Sequence, residues 1–469
     1  MKNMILLIAV FSLISLPTLA QFQIGHTTIT FNDATRSGGF GSGGGPGRQI
    51  QTEIYYPALV TGEDVAIAPL NHPIIVFGHG FAMSWNAYEN IWEHYAALGY
   101  IVAFPRTESG LFPAPSHYDF ALDLAIVESK LQALNFVFGS LFYLSIKPNS
   151  AIIGHSMGGG ATILTGNVMS GSVKTIIGFA PAETDPSAID SAVNVLVPAL
   201  IFSGSQDGVT PPVNHHLPIY NALGSDCKTF VSINGGAHCY FANTNFNCDF
   251  GESTSSTGIT ITREEQQDKT YQLLSPWLDF YLNENCDAFL AFEDSLSNVS
   301  GITFQRTCNY TPLNVVANLT HINLGSDGAI DVTITGGLNP IDFSWSNFSL
   351  TLDQTNLNEG FYGLVVSDSF CTITNEYQIL GPASIDSYEN VAVQIFPNPS
   401  NGKFSIQFES LAGEPTLIEI FDLQGSVIYT NSYSSHEGIN QLTIDLSTVA
   451  NSIYILKMNQ VPLGKIVLE

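Results

Sequence analysis

A serine, an aspartate and a histidine, the side chains that catalyse nucleophilic attack on a carbonyl carbon, each follow an apolar run of the sequence. Ser156 lies in GHSMG at residues 154–158, a G-x-S-x-G pattern between an apolar run and a run of small residues. Asp207 ends the run ALIFSGSQD, and His238 ends the run FVSINGGAH. A serine hydroxyl becomes a strong nucleophile when a histidine oriented by a carboxylate removes its proton. The sequence therefore predicts Ser156 as nucleophile, His238 as base and Asp207 as the orienting acid.

Acyl transfer also needs hydrogen-bond donors for the negatively charged oxygen of the tetrahedral intermediate. The backbone N–H of Met157, directly after the serine, is the first predicted donor. The stretch GHGF at residues 78–81 follows the apolar run IIVF, and the N–H of Phe81 is the second. Residues 181–197 are too few to form a cap domain, so we predict an open substrate groove. Its predicted walls are Phe81, Met157, Val209 and Phe241, with Trp85 as a further candidate.

Other histidines compete for the role of base. His215 and His216 stand beside a predicted helix start and are the alternative bases, although we expect one of them to line the substrate site instead. His155 occupies the variable position of the G-x-S-x-G pattern, and we expect it to pack rather than react. The placement of His238 directly after a predicted strand favours it over all three.

The segments around these residues predict a mostly parallel sheet with helices on both faces. Apolar runs such as HPIIVFG at 72–78 alternate with helical patterns such as residues 119–134. The carboxyl ends of parallel strands share one edge, which would bring the serine, acid and histidine together. After Arg306 the pattern changes to short alternating strands, typical of small all-β domains. We predict a signal peptide at 1–20, an α/β domain at 21–309 and two sandwich-like domains at 310–383 and 384–469.

Composition limits the partners and the compartment. The 469-residue chain has a formal net charge of −27, which argues against binding to nucleic acid or to anionic membrane surfaces. Residues 1–20 have a lysine, a short apolar core and a small final residue, so they predict a secretory signal peptide. No later run is long enough to span a bilayer, so we expect an exported protein.

Neither a cofactor nor a metal ion is predicted. The G-x-G-x-x-G at residues 39–44 precedes a strand-like run, whereas a dinucleotide loop follows a strand and opens a helix. The spacings CxxC and Cys/His that hold metal ions do not occur.

Six cysteines fit an oxidising compartment. Cys286 and Cys308 bracket the end of the first domain and are the first expected disulfide, and Cys239 and Cys248 are the second. Cys227 and Cys371 would remain, although sequence alone does not fix the connectivity.

The motifs GHGF, GHSMGGG, LIFSGSQDGVTPPVNHHLPIY and INGGAH together resemble those of bacterial cutinases and poly(ethylene terephthalate) hydrolases, which are dienelactone-hydrolase-like α/β-hydrolases. The resemblance covers roughly residues 21–308. It implies an α/β-hydrolase fold and hydrolysis of carboxylic esters, with cutin-like or aromatic polyesters as substrates. It supports the predicted triad and oxyanion donors, and Cys286–Cys308 resembles the family's C-terminal disulfide.

The sequence also departs from that family's pattern. Ala182 stands where many members have a tryptophan that stacks on aromatic rings, Phe81 replaces a common tyrosine, and Gly204 stands opposite Cys239 where some members have a second cysteine. A lipase or small-ester esterase is therefore the alternative enzyme. A surface adhesin with a vestigial hydrolase domain is the alternative from another class.

The two β-rich segments resemble other families. GSDGAIDVTITGGLNPIDFSWSN and GFYGLVVSDSFCTIT resemble SprB-like repeats of surface adhesins. FPNPSNGKFSIQF, IEIFDLQGSVI, LTIDLS and KIVLE resemble the C-terminal sorting domain of the type IX secretion system. The second resemblance implies the secretion machinery as a partner and an extracellular or cell-surface location.

Overall fold

Between residues 22 and 308, apolar runs of the sequence form the strands of a single mixed sheet. The computed structural model of the protein describes residues 22–323, 325–381, 393–410, 415–459 and 461–469. The chain divides into two compact units, Met1–Ile379 and Leu380–Glu469. The predicted signal peptide and the predicted domain boundary at 383/384 lie outside the described residues.

Among the described residues, eleven strands make up the large sheet of the first unit. In chain order they are β1 Gln23–Asp33, β2 Gly39–Phe40, β3 Arg48–Ala58, β4 Gly62–Glu63, β5 His72–Gly78, β6 Ile101–Pro105, β7 Ile146–His155, β8 Val173–Phe179, β9 Ala199–Gly204, β10 Cys227–Ile233 and β11 Ile302–Cys308. Their order across the sheet is β11-β10-β9-β8-β7-β5-β6-β3-β1-β4, with β2 beside β3. The six central strands, adjacent in the order β10-β9-β8-β7-β5-β6, pair in parallel. At the two ends of this set, β3 is antiparallel to β6 and β11 is antiparallel to β10.

Helices cover both faces of this sheet. They are α1 Glu89–Ala97, α2 His117–Leu134, α3 Met157–Leu164, α4 Ala188–Ser191, α5 His216–Ala222, α6 Phe246–Ser255, α7 Arg263–Asn283 and α8 Cys286–Asn298. Side chains of β5 alternate between two cores: Ile75 and Phe77 pack in one cluster with α1, α7 and α8, and Ile74 and Val76 pack in the other with α2, α3 and α5. The predicted α/β architecture is therefore confirmed.

The segment after β11 adds two small antiparallel sheets to the first unit. Their strands are β12 Asn314–Thr320, β13 Gly328–Thr335, β14 Asp342–Trp345, β15 Gln354–Leu357, β16 Gly360–Ser367 and β17 Thr372–Ile379, in the orders β12-β13-β15 and β14-β16-β17. Phe280 of α7 and Phe289 of α8 contact Tyr310 just before these strands, at ring-centroid distances of 5.3 and 4.9 Å. The predicted boundary at 309/310 falls between β11 and β12, but the compact unit does not divide there.

The described residues of the second unit form strands and connecting loops, in agreement with the predicted all-β segment. Its strands are β18 Gln394–Phe396, β19 Lys403–Ser410, β20 Pro415–Phe421, β21 Val427–Ser434, β22 Gly438–Asp445, β23 Ile453–Met458 and β24 Val461–Val467. They form the sheets β18-β19-β22 and β21-β20-β23-β24, which enclose a core that includes Phe404, Ile418 and Leu456. In the described part of the chain, no helix combines the length and apolar composition needed to cross a membrane.

The disulfides correct one expected pairing. The structure contains Cys227–Cys308, Cys239–Cys248 and Cys286–Cys371. The expected pair Cys286–Cys308 is wrong, because β11 returns antiparallel to β10 and sets Cys308 directly opposite Cys227, with the two Cα atoms 4.0 Å apart. Cys286 at the start of α8 instead bonds to Cys371, just before β17. The pair Cys239–Cys248 is the one the sequence suggested.

Candidate active site

Ser156 occupies a sharp corner between β7 and α3. Its backbone has φ 56° and ψ −118°, in the region that residues other than glycine rarely adopt, at a cost of about 1–3 kcal/mol. Backbone hydrogen bonds on both sides hold this conformation. The Ser156 N–H donates to the carbonyl of Phe179 at 2.9 Å, and the Ser156 carbonyl accepts from the N–H of Ala182 at 2.9 Å. The serine is therefore fixed in the strained geometry of a nucleophile elbow.

The glycines of the G-x-S-x-G pattern are required by close backbone packing. A Cβ atom at Gly154 would lie 2.1 Å from the carbonyl oxygen of Gly158, and one at Gly158 would lie 2.2 Å from the carbonyl oxygen of Gly78. Such distances leave no room for a side chain. The elbow consequently packs directly against the end of β5, which leads into the predicted oxyanion loop at residues 78–81.

Asp207 and His238 lie beyond the carboxyl ends of the adjacent strands β9 and β10. The Nδ1 of His238 and the Oδ2 of Asp207 are 2.7 Å apart, and the other oxygen, Oδ1, accepts from the N–H of Thr210 at 2.7 Å. Asp207 is 4% exposed and His238 is 1% exposed. Burial by itself raises the pKa of the Asp207 carboxyl, but the neighbouring His238 with its hydrogen bond, the nearby His216 ring and the Thr210 N–H outweigh it and lower the pKa. Asp207 is therefore suited to stay ionised and orient the ring of His238.

His238 lies beside the elbow that carries Ser156. The Nε2 of His155 is 3.0 Å from the carbonyl oxygen of His238, and the two rings are 4.8 Å apart. Among the described residues, no hydrogen bond joins the Ser156 hydroxyl to the His238 ring. Hydrogen bonds of this kind are often long in the free enzyme and tighten when substrate binds. The structure thus brings the three predicted residues to one edge of the sheet, with the acid–histidine bond already formed.

His155 links the elbow, the oxyanion loop and the histidine loop. Its Nδ1 is 2.9 Å from the hydroxyl of Tyr88, and that hydroxyl accepts from the N–H of Gly80 at 2.8 Å. Complete burial, with His238 beside it, keeps the pKa of His155 well below its usual value, so the ring is neutral. The Tyr88 hydroxyl then donates to Nδ1, and the Nε2–H of His155 donates to the His238 carbonyl. Sequence reasoning expected His155 to pack, and nothing in the sequence indicated Tyr88 as its partner.

The predicted groove walls differ in accessibility. Phe81 is 51% exposed and Val209 is half-buried, whereas the side chain of Met157, the first residue of α3, is buried in the core that also contains residues of α2. The expectation that Phe241 lines the groove is wrong, because it is 1% exposed and its ring stacks on Phe179 at 5.3 Å inside the core. The Phe241 side chain is buried because it packs against apolar rings beneath the edge of the sheet.

Trp85 lies at a different cavity. Together with Tyr55 and Trp92 it lines a space of about 760 Å³ beside β1 and α1, to which no member of the predicted triad contributes. Trp85 as a wall of the substrate groove therefore has no support from this arrangement.

His216, one of the two alternative bases, lies near Asp207 together with Thr210 and Ser203, which sequence reasoning did not assign to the site. The Nδ1 of His216 is 2.8 Å from the hydroxyl of Ser203, and its Nε2 is 2.9 Å from the hydroxyl of Thr210. Burial lowers the pKa of His216 to about 3, so this second histidine is neutral. His215 points elsewhere, since its Nδ1 accepts from the backbone N–H of Glu183 at 2.9 Å. In the part of the chain that the structure describes, no group of three or more His, Cys, Asp or Glu residues is arranged to hold a metal ion.

Comparison with curated proteins finds bacterial cutinases. Cutinase est1 of Thermobifida alba is 25% identical over 226 residues, which is 47% of this chain and 66% of that protein. Cutinase 2 of Thermobifida cellulosilytica is 26% identical over 225 residues, or 47% of this chain and 74% of that protein. The chain spans just under two thirds of the two Thermobifida alba cutinases that it matches, est1 and est2.

Two family models match separate parts of the chain. The secretion system C-terminal sorting domain matches residues 394–467, within the second unit, and indicates a secreted or cell-surface protein with a type IX sorting domain. The model described as PET hydrolase-like matches residues 16–261, slightly more than half of the chain and all of the elements that carry the elbow, Asp207 and His238. With the α/β-hydrolase sheet and this match together, the chain belongs to the PET hydrolase-like family.

Proposed function

We propose that this protein is a secreted serine ester hydrolase that acts on polyesters in the manner of a cutinase. The observation that carries the proposal is the 2.7 Å contact between Asp207 and His238 beside a serine held at positive φ. A buried carboxylate that orients a histidine next to a strained serine is the arrangement used by serine hydrolases on several unrelated folds. The match to the PET hydrolase-like family supports the same reaction class.

The mechanism follows from these positions. The Oγ of Ser156 attacks the ester carbonyl carbon while the Nε2 of His238 removes the hydroxyl proton. Asp207 holds the Nδ1–H and stabilises the imidazolium that forms. The N–H groups of Met157 and Phe81 donate to the oxyanion, and each such donor typically contributes about 10²–10³ in rate. His238 then protonates the departing alcohol, and a water molecule that His238 deprotonates hydrolyses the acyl-enzyme and restores Ser156.

The substrate class is proposed from the openness of the site and the relatives' names. The described connection between β8 and β9 contains only the four-residue α4 and one further short helical turn, so no cap domain covers the site there. An uncovered site admits a polymer chain, and the relatives are named cutinases. We propose cutin-like polyesters and poly(ethylene terephthalate)-type polyesters as substrates. Because Ala182 offers no ring for aromatic stacking, aliphatic polyesters should be cleaved faster than aromatic ones.

Fluorophosphonate labelling and product analysis test the reaction and the substrate together. The wild-type protein should be labelled at Ser156 and should release soluble acids from a polyester film. Ser156→Ala should lose both labelling and hydrolysis of p-nitrophenyl butyrate. Ser297→Ala, an exposed position on α8, is the matched control and should keep both.

Each outcome distinguishes between the candidate functions. Hydrolysis of p-nitrophenyl esters without attack on any film favours a small-ester esterase, and a preference for long-chain esters favours a lipase. A folded wild-type protein that resists labelling but adheres to surfaces would favour the adhesin. Activity retained in Ser156→Ala would exclude the proposed nucleophile.

A further inference from the structure

The carboxylate of Asp207 receives more hydrogen bonds than the one from His238. The backbone N–H of Thr210 donates to Oδ1 at 2.7 Å, and the Thr210 hydroxyl lies 3.0 Å from Oδ2. Thr210 is 6% exposed, so water does not replace these contacts. The orientation of the acid is therefore set by Thr210 as well as by the histidine.

The Thr210 hydroxyl is in turn held by His216. Its oxygen lies 2.9 Å from the Nε2 of His216, whose Nδ1 lies 2.8 Å from the hydroxyl of Ser203. The same oxygen lies 2.9 Å from the Nδ1 of His238, and the Nε2 of His216 is 3.6 Å from Oδ2 of Asp207, too far for a hydrogen bond. His216 and Ser203 are completely buried. Ser203 belongs to β9, His216 begins α5, and Thr210 lies in the loop between them, so the contacts join three separate segments.

Only one arrangement of protons satisfies these contacts together. An ionised carboxylate accepts hydrogen bonds and cannot donate them, so the Thr210 O–H points to Asp207. The Thr210 oxygen must then accept, which places the proton of the neutral His216 ring on Nε2. The Ser203 O–H completes the series by donating to Nδ1. The result is a directed series of donors from Ser203 through His216 and Thr210 to Asp207.

We infer that Thr210 and His216 are positioning residues, which hold the Asp207 carboxylate in the orientation that keeps His238 aligned with Ser156. The inference rests on the proposed function and adds to it two residues that do not touch substrate. They stand three and nine residues after Asp207 in the chain. A hydrogen bond to a charged group contributes more to stability than one between neutral groups, so removing the Thr210 hydroxyl should loosen the acid measurably.

The charged and titratable groups around this series are few. Asp207 faces His238 and His216, and it also influences His155 in the elbow. His216 faces Asp207, His238 and His215. Glu183 acts on His215. Because His216 is neutral, the pH profile of the reaction reports mainly on the pair formed by Asp207 and His238.

The test compares Thr210→Val, which removes the hydroxyl at nearly constant volume, with Thr210→Ser, which keeps it. With p-nitrophenyl butyrate, Thr210→Val should lower kcat about tenfold with KM unchanged, whereas Thr210→Ser should stay within about twofold of wild type. In Thr210→Val the acid limb of the kcat/KM profile should move, because the lost hydroxyl contacts both the Asp207 carboxylate and the Nδ1 of His238. A loss of folding alone would not move that limb.

A double-mutant cycle tests the participation of His216. His216→Phe should lower kcat severalfold, and Thr210→Val with His216→Phe should be no slower than Thr210→Val alone, since His216 acts through Thr210. If Thr210→Val does not fold, His216→Phe should slow Thr210→Ser as much as it slows the wild type, because the hydroxyl through which His216 acts is kept. Wild-type kcat and an unmoved acid limb in Thr210→Val would overturn the inference and leave the proposed function intact. An inactive wild-type protein would overturn both.

Discussion

Lowering the pH from 7.5 to 5.5 should destabilise the first unit through histidines that are buried in the neutral form. His155 and His216 are both completely buried. Burial, with His238 beside it, keeps the pKa of His155 well below its usual value, and burial lowers that of His216 to about 3. In the unfolded chain both rings take up a proton near pH 6.5. Below that pH the unfolded state binds more protons than the folded state, so the free energy of unfolding falls as the pH falls.

The magnitude follows from the proton count. A histidine that stays neutral in the folded state and titrates at about 6.5 when unfolded loses about 1.4 kcal/mol of stability between pH 7.5 and 5.5. His155 and His216 together account for about 3 kcal/mol. Burial also lowers the pKa of His72, His79 and His94, which adds to the loss with the same sign. Most carboxylates ordinarily titrate below pH 5, so they contribute little in this window.

Urea unfolding followed by tryptophan fluorescence measures this loss, since all four tryptophans lie in the first unit. The free energy of unfolding should fall by at least about 3 kcal/mol from pH 7.5 to 5.5. In His216→Phe the fall should be smaller by about 1.4 kcal/mol, whatever the stability of the variant at pH 7.5. Ser297→Ala, at an exposed position on α8, is the control and should keep the full fall. An equal fall in His216→Phe and wild type would refute the reasoning, and so would a stability that is flat with pH.

Two further changes probe the elbow and the crosslink. Gly158→Ala should reduce esterase activity at least about 100-fold and lower Tm, since its Cβ would lie 2.2 Å from the carbonyl oxygen of Gly78, whereas Gly171→Ala, with nothing within 4 Å, should change neither. Equal activity of the two glycine variants would contradict the packing argument. The double change Cys286→Ser and Cys371→Ser removes a disulfide between residues that are 85 positions apart. Because the unfolded chain then gains conformational freedom, the free energy of unfolding, measured by urea titration, should fall by about 4–5 kcal/mol. Unchanged stability of the serine pair would show that the unfolded first unit stays compact without the crosslink.

The fold and the approximate site could be predicted because their determinants are short-range. The run 72–78 is apolar throughout and ends in glycine, which indicates a buried strand, and it forms β5 over the same residues. The elbow is likewise local, since Gly154 and Gly158 leave space that only a tight strand–turn–helix connection needs. Once the strands are parallel, Asp207 and His238 reach the same edge without further information.

The errors concern contacts between distant segments. The sequence alone allows Cys308 to pair with either Cys227 or Cys286. The antiparallel pairing of β11 with β10 determines the disulfide, because it places Cys308 opposite Cys227. Phe241 follows the predicted base closely enough to suggest a place in the groove. It instead fills space beneath the sheet edge against Phe179. The strand order and the shape of that space both depend on several segments of the chain, so no single segment predicts them.

The adjacent residues His215 and His216 have different roles in the structure that the sequence pattern does not predict. His215 and His216 have the same chemistry and adjacent positions, and both were alternative bases. Because α5 begins at His216, the two side chains leave the backbone in different directions: His215 accepts from the N–H of Glu183, and His216 turns inward to Thr210 and Ser203. Burial then makes His216 a poor base, since its pKa of about 3 leaves it unable to hold a proton at neutral pH. The same burial makes it a dependable donor to Thr210, so the environment, rather than the residue type, decides between base and positioning residue.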